Sequence, residues 1–245
     1  MVNEWLLNVK QLDGNAYFVF EYLQYNLKEA MTFHRTEILT FNSRPETAEK
    51  IRILLYQLCK AILYLHDNGI IHCALRPDNI LVDMMIYRLK IADFNPGKTF
   101  NIIHNQREDT DKILGFKYIP PEILLGAPHS TQGDMWNVGL IFAELLRGHK
   151  LFDAHVKVTS KAEQLKIMFS IWGTPTEETW PRIGKIISKY NYRKHKPFKE
   201  IIPTAGTYGF DLLTKMLCYD PSRRISAKEA LDHPYFNSIN KSEFD

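Results

Sequence analysis

The chain has 245 residues, 45% of them hydrophobic, with 31 basic against 28 acidic side chains and a formal charge of +3. That length and apolar content suffice for one large core or two small ones and exclude a disordered chain. Charges of both signs are interspersed, so nothing in the balance points to nucleic acid or an anionic membrane.

The three cysteines, Cys59, Cys73 and Cys218, lie far apart in apolar or mixed surroundings, which suits a reducing compartment better than a disulfide framework. The opening MVNEWLLNVK lacks a basic segment followed by a long apolar run, and no window approaches ~18 apolar residues. The expected setting is intracellular, cytoplasmic or nuclear, with no membrane span.

Elements follow in chain order. WLLNVKQLDGNAYFVFEYL holds two runs rich in aromatic and β-preferring residues around Asp13-Gly14-Asn15, which predicts a hairpin. From Glu49 to Asn68, the residues Ile51, Leu54, Leu55, Leu58, Ile62 and Leu65 keep helical spacing, and Gly69 stands where a helix stops. NILVDMMIYRLKIADF predicts a second short hairpin. DMWNVGLIFAELLR, Asp134 to Arg147, is apolar on nearly every side and predicts a buried helix. Thr174-Pro175-Thr176-Glu177 and Ser226-Ala227-Lys228-Glu229 both fit a capping box and predict helix starts, separated by loops rich in Pro, Lys and His around Tyr190 to Pro203. A small β part therefore precedes a large, mainly helical part, an α+β arrangement with no linker-like stretch.

The segment IIHCALRPDNILV, residues 70–82, places His72, Leu75, Pro77 and Asn79 on the frame H-R-D-L-K-P-x-N, and Asp93-Phe94 follows after the hairpin as a D-F-G motif would. Pro121-Glu122 matches the end of an activation segment, and DMWNVG the start of a central helix. SIWGTPTEETWP and LLTKMLCYDPSRRISAKEALDHPYF complete the order. From about Asn8 to Phe236 the chain resembles the protein kinases, and among them the cyclin-dependent kinase group. The resemblance implies an α+β kinase-like fold, with residues 1–23 a two-strand remnant of the small lobe up to the hinge, 24–236 the large lobe and 237–245 a short tail.

In that family an Asp accepts the substrate hydroxyl proton, while an Asn and a second Asp hold magnesium against the phosphates. The resemblance puts Ala74 at the proton-acceptor position, and losing a general base typically costs ~10²–10⁴ in rate. Asp78, the nearest acid, follows the Pro and is expected to point away from substrate. Cys73 stands where Arg grips the phosphorylated activation loop, and Gly115 where Thr braces the active site. Asn79 and Asp93 keep a magnesium pair, though Asp93 equally reads as a turn acid at a strand end. Arg76 keeps a positive charge toward the transferred phosphate, and Asn95-Pro96 replaces the Gly of D-F-G. His72 reads as a packing residue, and the nine histidines show no metal-ligand spacing.

YFVFEYLQYNLKEAM resembles the group's fifth strand and hinge, which implies Phe20 at the gatekeeper position, Glu21 to Leu23 along the adenine-facing backbone, and Leu81 as the adenine floor. Only about twenty residues precede Glu21, too few for the glycine-rich loop and the nucleotide-positioning lysine. ATP and magnesium are therefore expected to bind weakly or not at all. Thr110 falls at the activating phosphorylation position, with Lys98 the remaining basic contact, and reads also as part of a solvated acidic loop. Glu122 and Arg224 match a buried ion pair, and Asp134 the anchor of the loop backbone. Arg193-Lys194-His195-Lys196 is either a solvated face or a docking site for an acidic partner.

The expectation is a kinase homologue without catalysis that binds a protein partner: a kinase, a kinase substrate or a docking protein. A cyclin is not expected, because the helix that grips it in the family would precede residue 1. Two alternatives stand beside this, a Ser/Thr kinase with an incomplete N-terminus and a decaying gene product. A large lobe without its roof is expected to expose an apolar patch at Phe20 and Leu81 with open strand edges, which either a partner covers or aggregation buries.

Overall fold

The computed structural model describes residues 6–13, 15–33, 45–93, 98–99, 116–151, 158, 160–181, 183, 187, 200 and 202–244. The predicted first hairpin is present. Strands β1 (Leu6–Leu12) and β2 (Asn15–Phe20) pair antiparallel, with Val9 opposite Phe18 and Lys10 opposite Tyr17. At the turn Asp13 adopts φ 51°, a left-handed conformation that Asp tolerates better than most residues. The hairpin makes a sheet of its own, and Leu7, Val9, Phe18 and Phe20 are all exposed.

Strand β3 (Tyr25–Asn26) leads into helix α1 (Leu27–Phe33). The helix is capped reciprocally: the Glu29 amide donates to Asn26 Oδ1 at 2.9 Å and the Asn26 amide to Glu29 Oε2 at 3.1 Å. Helix α2 (Pro45–Asp67) starts four residues before the predicted point, on a proline that suits a first turn. It ends where expected, at Gly69 with φ 69°. Its predicted apolar set is buried throughout, from Ile51 to Leu65.

Beyond it, strand β4 (Ile70–Ile71) opens the 72–79 loop, and strands β5 (Ile80–Asp83) and β6 (Arg88–Ile91) form the second predicted hairpin. Strand β3 adds to the outer edge of β5, and β7 (Lys98–Thr99) pairs with β4. Gln57 of α2 locks the hairpin down, donating to Tyr87 O at 2.6 Å and accepting from the Leu89 amide at 3.1 Å. The remainder is helical: α3 (Pro121–Leu124), α4 (Thr131–Arg147), α5 (Lys161–Trp172), α6 (Gly206–Met216) and α7 (Ala227–Leu231). Among the described residues the fold is thus α+β, mostly helical with small sheets, and none of its helices is long and apolar enough to cross a membrane.

Helix α4 is the axis of the core. Trp136, Val138, Leu140, Ile141 and Phe142 have no exposed surface, and the helix packs against both α2 and α6. Its close approach to the end of α6 requires Gly139, where a Cβ would stand 2.8 Å from Leu217 Cδ2 and 2.9 Å from Met216 Cβ. Gly139→Ala is therefore expected to destabilise by about 1–3 kcal/mol through overpacking, despite alanine's better helix propensity. Urea denaturation measures this.

The two predicted capping boxes fare differently. At α7, Ser226 Oγ accepts from the Glu229 amide and Glu229 reaches back to the Ser226 amide at 2.8 Å. At Thr174 the expectation is wrong, since residues 177–181 form turns and the Thr174 hydroxyl is buried and caps nothing. The reciprocal pair forms two residues later, between Thr176 and Thr179. Tertiary contacts decide the shift: Tyr219 donates to Gly173 O at 2.9 Å, and Trp180 stacks on the Tyr219 ring, 6.1 Å between centroids.

Candidate functional site

The 72–79 loop is held from outside itself. Asp134, buried at 1% exposure in the first turns of α4, accepts from the backbone amides of His72 at 2.9 Å and Cys73 at 3.0 Å. It also meets His66 Nε2, at the end of α2, at 3.0 Å. His72 carries the loop across to the next strand, with Nε2 3.1 Å from Ala92 O and Nδ1 accepting from the Ala74 amide at 3.3 Å. One nitrogen donates and the other accepts, so this is the neutral ring with its proton on Nε2. Asn79 Nδ2 holds Ala74 O at 2.9 Å, and Asn137 Nδ2 joins Leu75 O to Tyr118 O at 2.8 and 3.0 Å.

These bonds impose unusual backbone. Cys73 has φ 64° and Asp93 φ 60°, left-handed conformations that cost cysteine roughly 1–2 kcal/mol and that Asp tolerates better. Between them sits Ala74, nearly buried, whose methyl has no lone pair and no proton to exchange.

Two residues further along the loop begins a charged cluster. Arg76 donates through Nε to Asp78 Oδ2 at 3.0 Å and its Nη2 lies 2.9 Å from the same oxygen, while Lys28 of α1 grips Asp78 Oδ1. Burial pushes the Asp78 carboxyl up, but the hydrogen bonds and charges of Lys28 and Arg76 outweigh it and hold the group below its ordinary value. Arg76 thus forms an ion pair with Asp78.

Asn79 and Asp93 are close through the backbone, since the Ala92 amide donates to Asn79 O at 2.8 Å. Both offer oxygen donors, the chemistry that suits magnesium; Asn79 spends its amide nitrogen on Ala74 O and Asp93 is exposed. Of the residues assigned to a nucleotide, Leu23 is buried, Leu81 half-buried and Phe20 44% exposed, while Glu21 pairs with Lys90 of β6.

A second ion pair braces the scaffold. Arg224 meets Glu122 with two bonds of 2.7 and 2.9 Å, donates to Gln132 O and Cys218 O, and lies 5.0 Å from the Trp136 ring centre. Both side chains are buried.

Comparison with known proteins decides the ancestry. The family description "Protein kinase domain" matches residues 5–236. Cyclin-dependent kinase B1-1 of Arabidopsis thaliana is 41% identical over 234 residues, covering 94% of this chain and 73% of the relative. Cyclin-dependent kinase B2-1 of Oryza sativa subsp. japonica is 40% identical over 244 residues, covering 96% and 72%. Cell division control protein 2 homolog C of Antirrhinum majus is 41% identical over 231 residues, covering 93% and 73%. The chain belongs to the cyclin-dependent-kinase-related Ser/Thr protein kinases.

Several of the residues discussed from the sequence lie outside the described residues: Phe94, Asn95 and Pro96, Thr110, Gly115, and the basic run Arg193 to Lys196; the Lys98 side chain is likewise outside. Sequence reading missed others that the fold brings in. Lys28 reaches Asp78 from 50 positions away and His66 reaches Asp134 from 68; a contact that distant leaves no local pattern. Asn26-Leu27-Lys28-Glu29 did carry a legible signal, a capping box for the helix that presents Lys28.

Glu144 of α4 is a further buried group. It accepts from Tyr118 Oη at 2.9 Å and from the Leu151 amide at 3.0 Å. Burial pushes its carboxyl above the usual 4.5, against the pull of those hydrogen bonds. The folded state therefore keeps a proton that the unfolded chain has already released, so the contribution of Glu144 to stability is greatest at low pH and falls as pH rises from about 4.5 through the folded value. Glu144→Gln is expected to flatten that decline. Urea midpoints between pH 4 and 8 for the two proteins measure it.

Proposed function

We propose that the chain is a catalytically silent member of the cyclin-dependent-kinase-related family that acts by binding a protein partner: a kinase, a kinase substrate or a docking protein. The supporting observation is Ala74. The loop around it keeps its bonds to Asp134, Asn79 and His72, while the one position that would accept a hydroxyl proton carries a methyl. Loss of that base costs ~10²–10⁴ in rate, and Asp78 is no replacement because its carboxylate is committed to Lys28 and Arg76.

Cys73 supports the same reading. A cysteine at that place has no positive charge with which to grip a phosphate, so phosphorylation of the activation segment would lose one ordering contact. Magnesium and ATP would be held weakly, through Asn79, Asp93 and the Glu21 to Leu23 backbone. The competing reading, an active Ser/Thr kinase, is favoured by the survival of Asn79 and Asp93.

The deciding experiment incubates highly purified protein with radiolabelled ATP, magnesium and a generic protein substrate. The expected result is no transfer above that of an Asp93→Asn control. Transfer that the Asp93→Asn change abolishes would overturn the proposal.

A further inference from the structure

We infer that the turn Phe116–Tyr118 is latched to the 72–79 loop by buried bonds that need no phosphate, so that both keep their shape in the unmodified chain. This goes beyond the reading above and holds whether or not the chain transfers phosphate. Residues 116–118 form one 3₁₀ turn, and every residue from Ile119 to Leu124 beyond it is buried. The turn offers two carbonyls and a hydroxyl to helices α4 and α5, and each finds a partner. Asn137 Nδ2 donates to Tyr118 O at 3.0 Å, Gln164 Nε2 to Lys117 O at 3.2 Å, and Tyr118 Oη to Glu144 Oε2 at 2.9 Å. Asn137, Gln164 and Glu144 are 5%, 0% and 1% exposed.

Asn137 couples the turn to the loop. The same Nδ2 also donates to Leu75 O at 2.8 Å. An amide nitrogen carries two hydrogens, and here one goes to each segment, so a single buried side chain ties the two together. Gln164 reaches the turn alone, and its buried Oε1 takes no hydrogen bond. None of these bonds joins a cation to an anion. A segment ordered by phosphorylation takes its order from contacts between arginine and phosphate; the latch takes its order from burial, where neutral hydrogen bonds are strengthened by the low dielectric. The turn is therefore presented to a partner in one shape, with no modification step in between.

Lys117 makes the turn its own reporter, because trypsin cuts after lysine and the carbonyl it attacks there is the one Gln164 holds. The full chain is made in bacteria, treated with phosphatase and shown by mass spectrometry to carry no phosphate. Cleavage between Lys117 and Tyr118 is expected to be at least ~100-fold slower than in a synthetic peptide spanning residues 113–122. Gln164→Met, which keeps the length of the side chain and removes its donor, is expected to speed that cleavage roughly tenfold and to leave hydrogen exchange at the Ala74 amide within about twofold. Asn137→Ala is expected to speed both, each roughly tenfold or more. Thermal melts establish that the variants fold; if Asn137→Ala does not, Asn137→Ser, whose hydroxyl serves only one of the two carbonyls, is expected to speed at least one of the two readouts. Cleavage of the unphosphorylated chain within about tenfold of the peptide, unchanged cleavage in Gln164→Met, or Ala74 exchange unmoved in Asn137→Ala would overturn the inference. Equal acceleration of both readouts by Gln164→Met would also overturn it, by showing a loss of global stability in place of an opened latch. Each of these failures leaves the argument from Ala74 untouched, since phosphate transfer tests that reading and cleavage tests this one.

Discussion

Arg224→Ala is expected to lower the unfolding free energy by about 3–5 kcal/mol and the melting temperature by roughly 6–20 °C. The reason lies less in the attraction lost than in the charge left behind. Glu122 is 5% exposed and takes both of its strong bonds from the Arg224 fork, so truncation strands a carboxylate away from water. Gln132 O and Cys218 O lose their donor at the same time, and Trp136 loses the guanidinium over its face. Glu122→Gln leaves no stranded charge and is expected to cost less than half as much. Urea denaturation and calorimetry of the two variants separate these effects, and equal losses would show that packing rather than the buried charge dominates.

The second large effect is expected at Asp134. Asp134→Ala would leave the His72 and Cys73 amides without their acceptor, at about 1–3 kcal/mol for each buried donor, and would free His66 as well. The loss, about 2–6 kcal/mol in total, should be uneven across the molecule. Cys73 is held left-handed against its own preference, so the loop would relax first. Native-state hydrogen exchange at Cys73 and at Ala74 is expected to quicken by about 10- to 1000-fold, with little change in α6 and α7. Uniform acceleration everywhere would show that Asp134 supports only global stability. Asp134→Asn keeps one acceptor oxygen and should retain part of the protection.

Legibility from the sequence followed the range of the physical signal. The buried stripe of α2, the apolar character of α4 and the Ser226 capping box are set by neighbours within a turn or two, and each was readable. Thr174 misled because its local chemistry was right but the chain there answers to Tyr219, 45 positions away. The first hairpin was legible from Asp13-Gly14 and its flanking strands, and its solitary sheet was expected too. At the site, the frame from His72 to Asn79 and the pairing of Glu122 with Arg224 were readable by resemblance. The capture of Arg76 by Asp78 was not, because it depends on Lys28, which only the fold brings near. Glu144 gave no warning in sequence either, sitting in an apolar helix as one polar residue among many neighbours.

The positive φ of Cys73 has one more consequence. Nothing within Ile70 to Leu81 prefers that conformation; Asp134 and His66 impose it from two helices, and Ala92 through His72. The loop's shape is therefore a property of the folded chain alone. A synthetic peptide spanning residues 70–82 should populate extended conformers, and antibodies raised against it should recognise denatured protein on a blot while failing to precipitate the native chain. Only immunisation with the folded protein would yield a reagent for this surface.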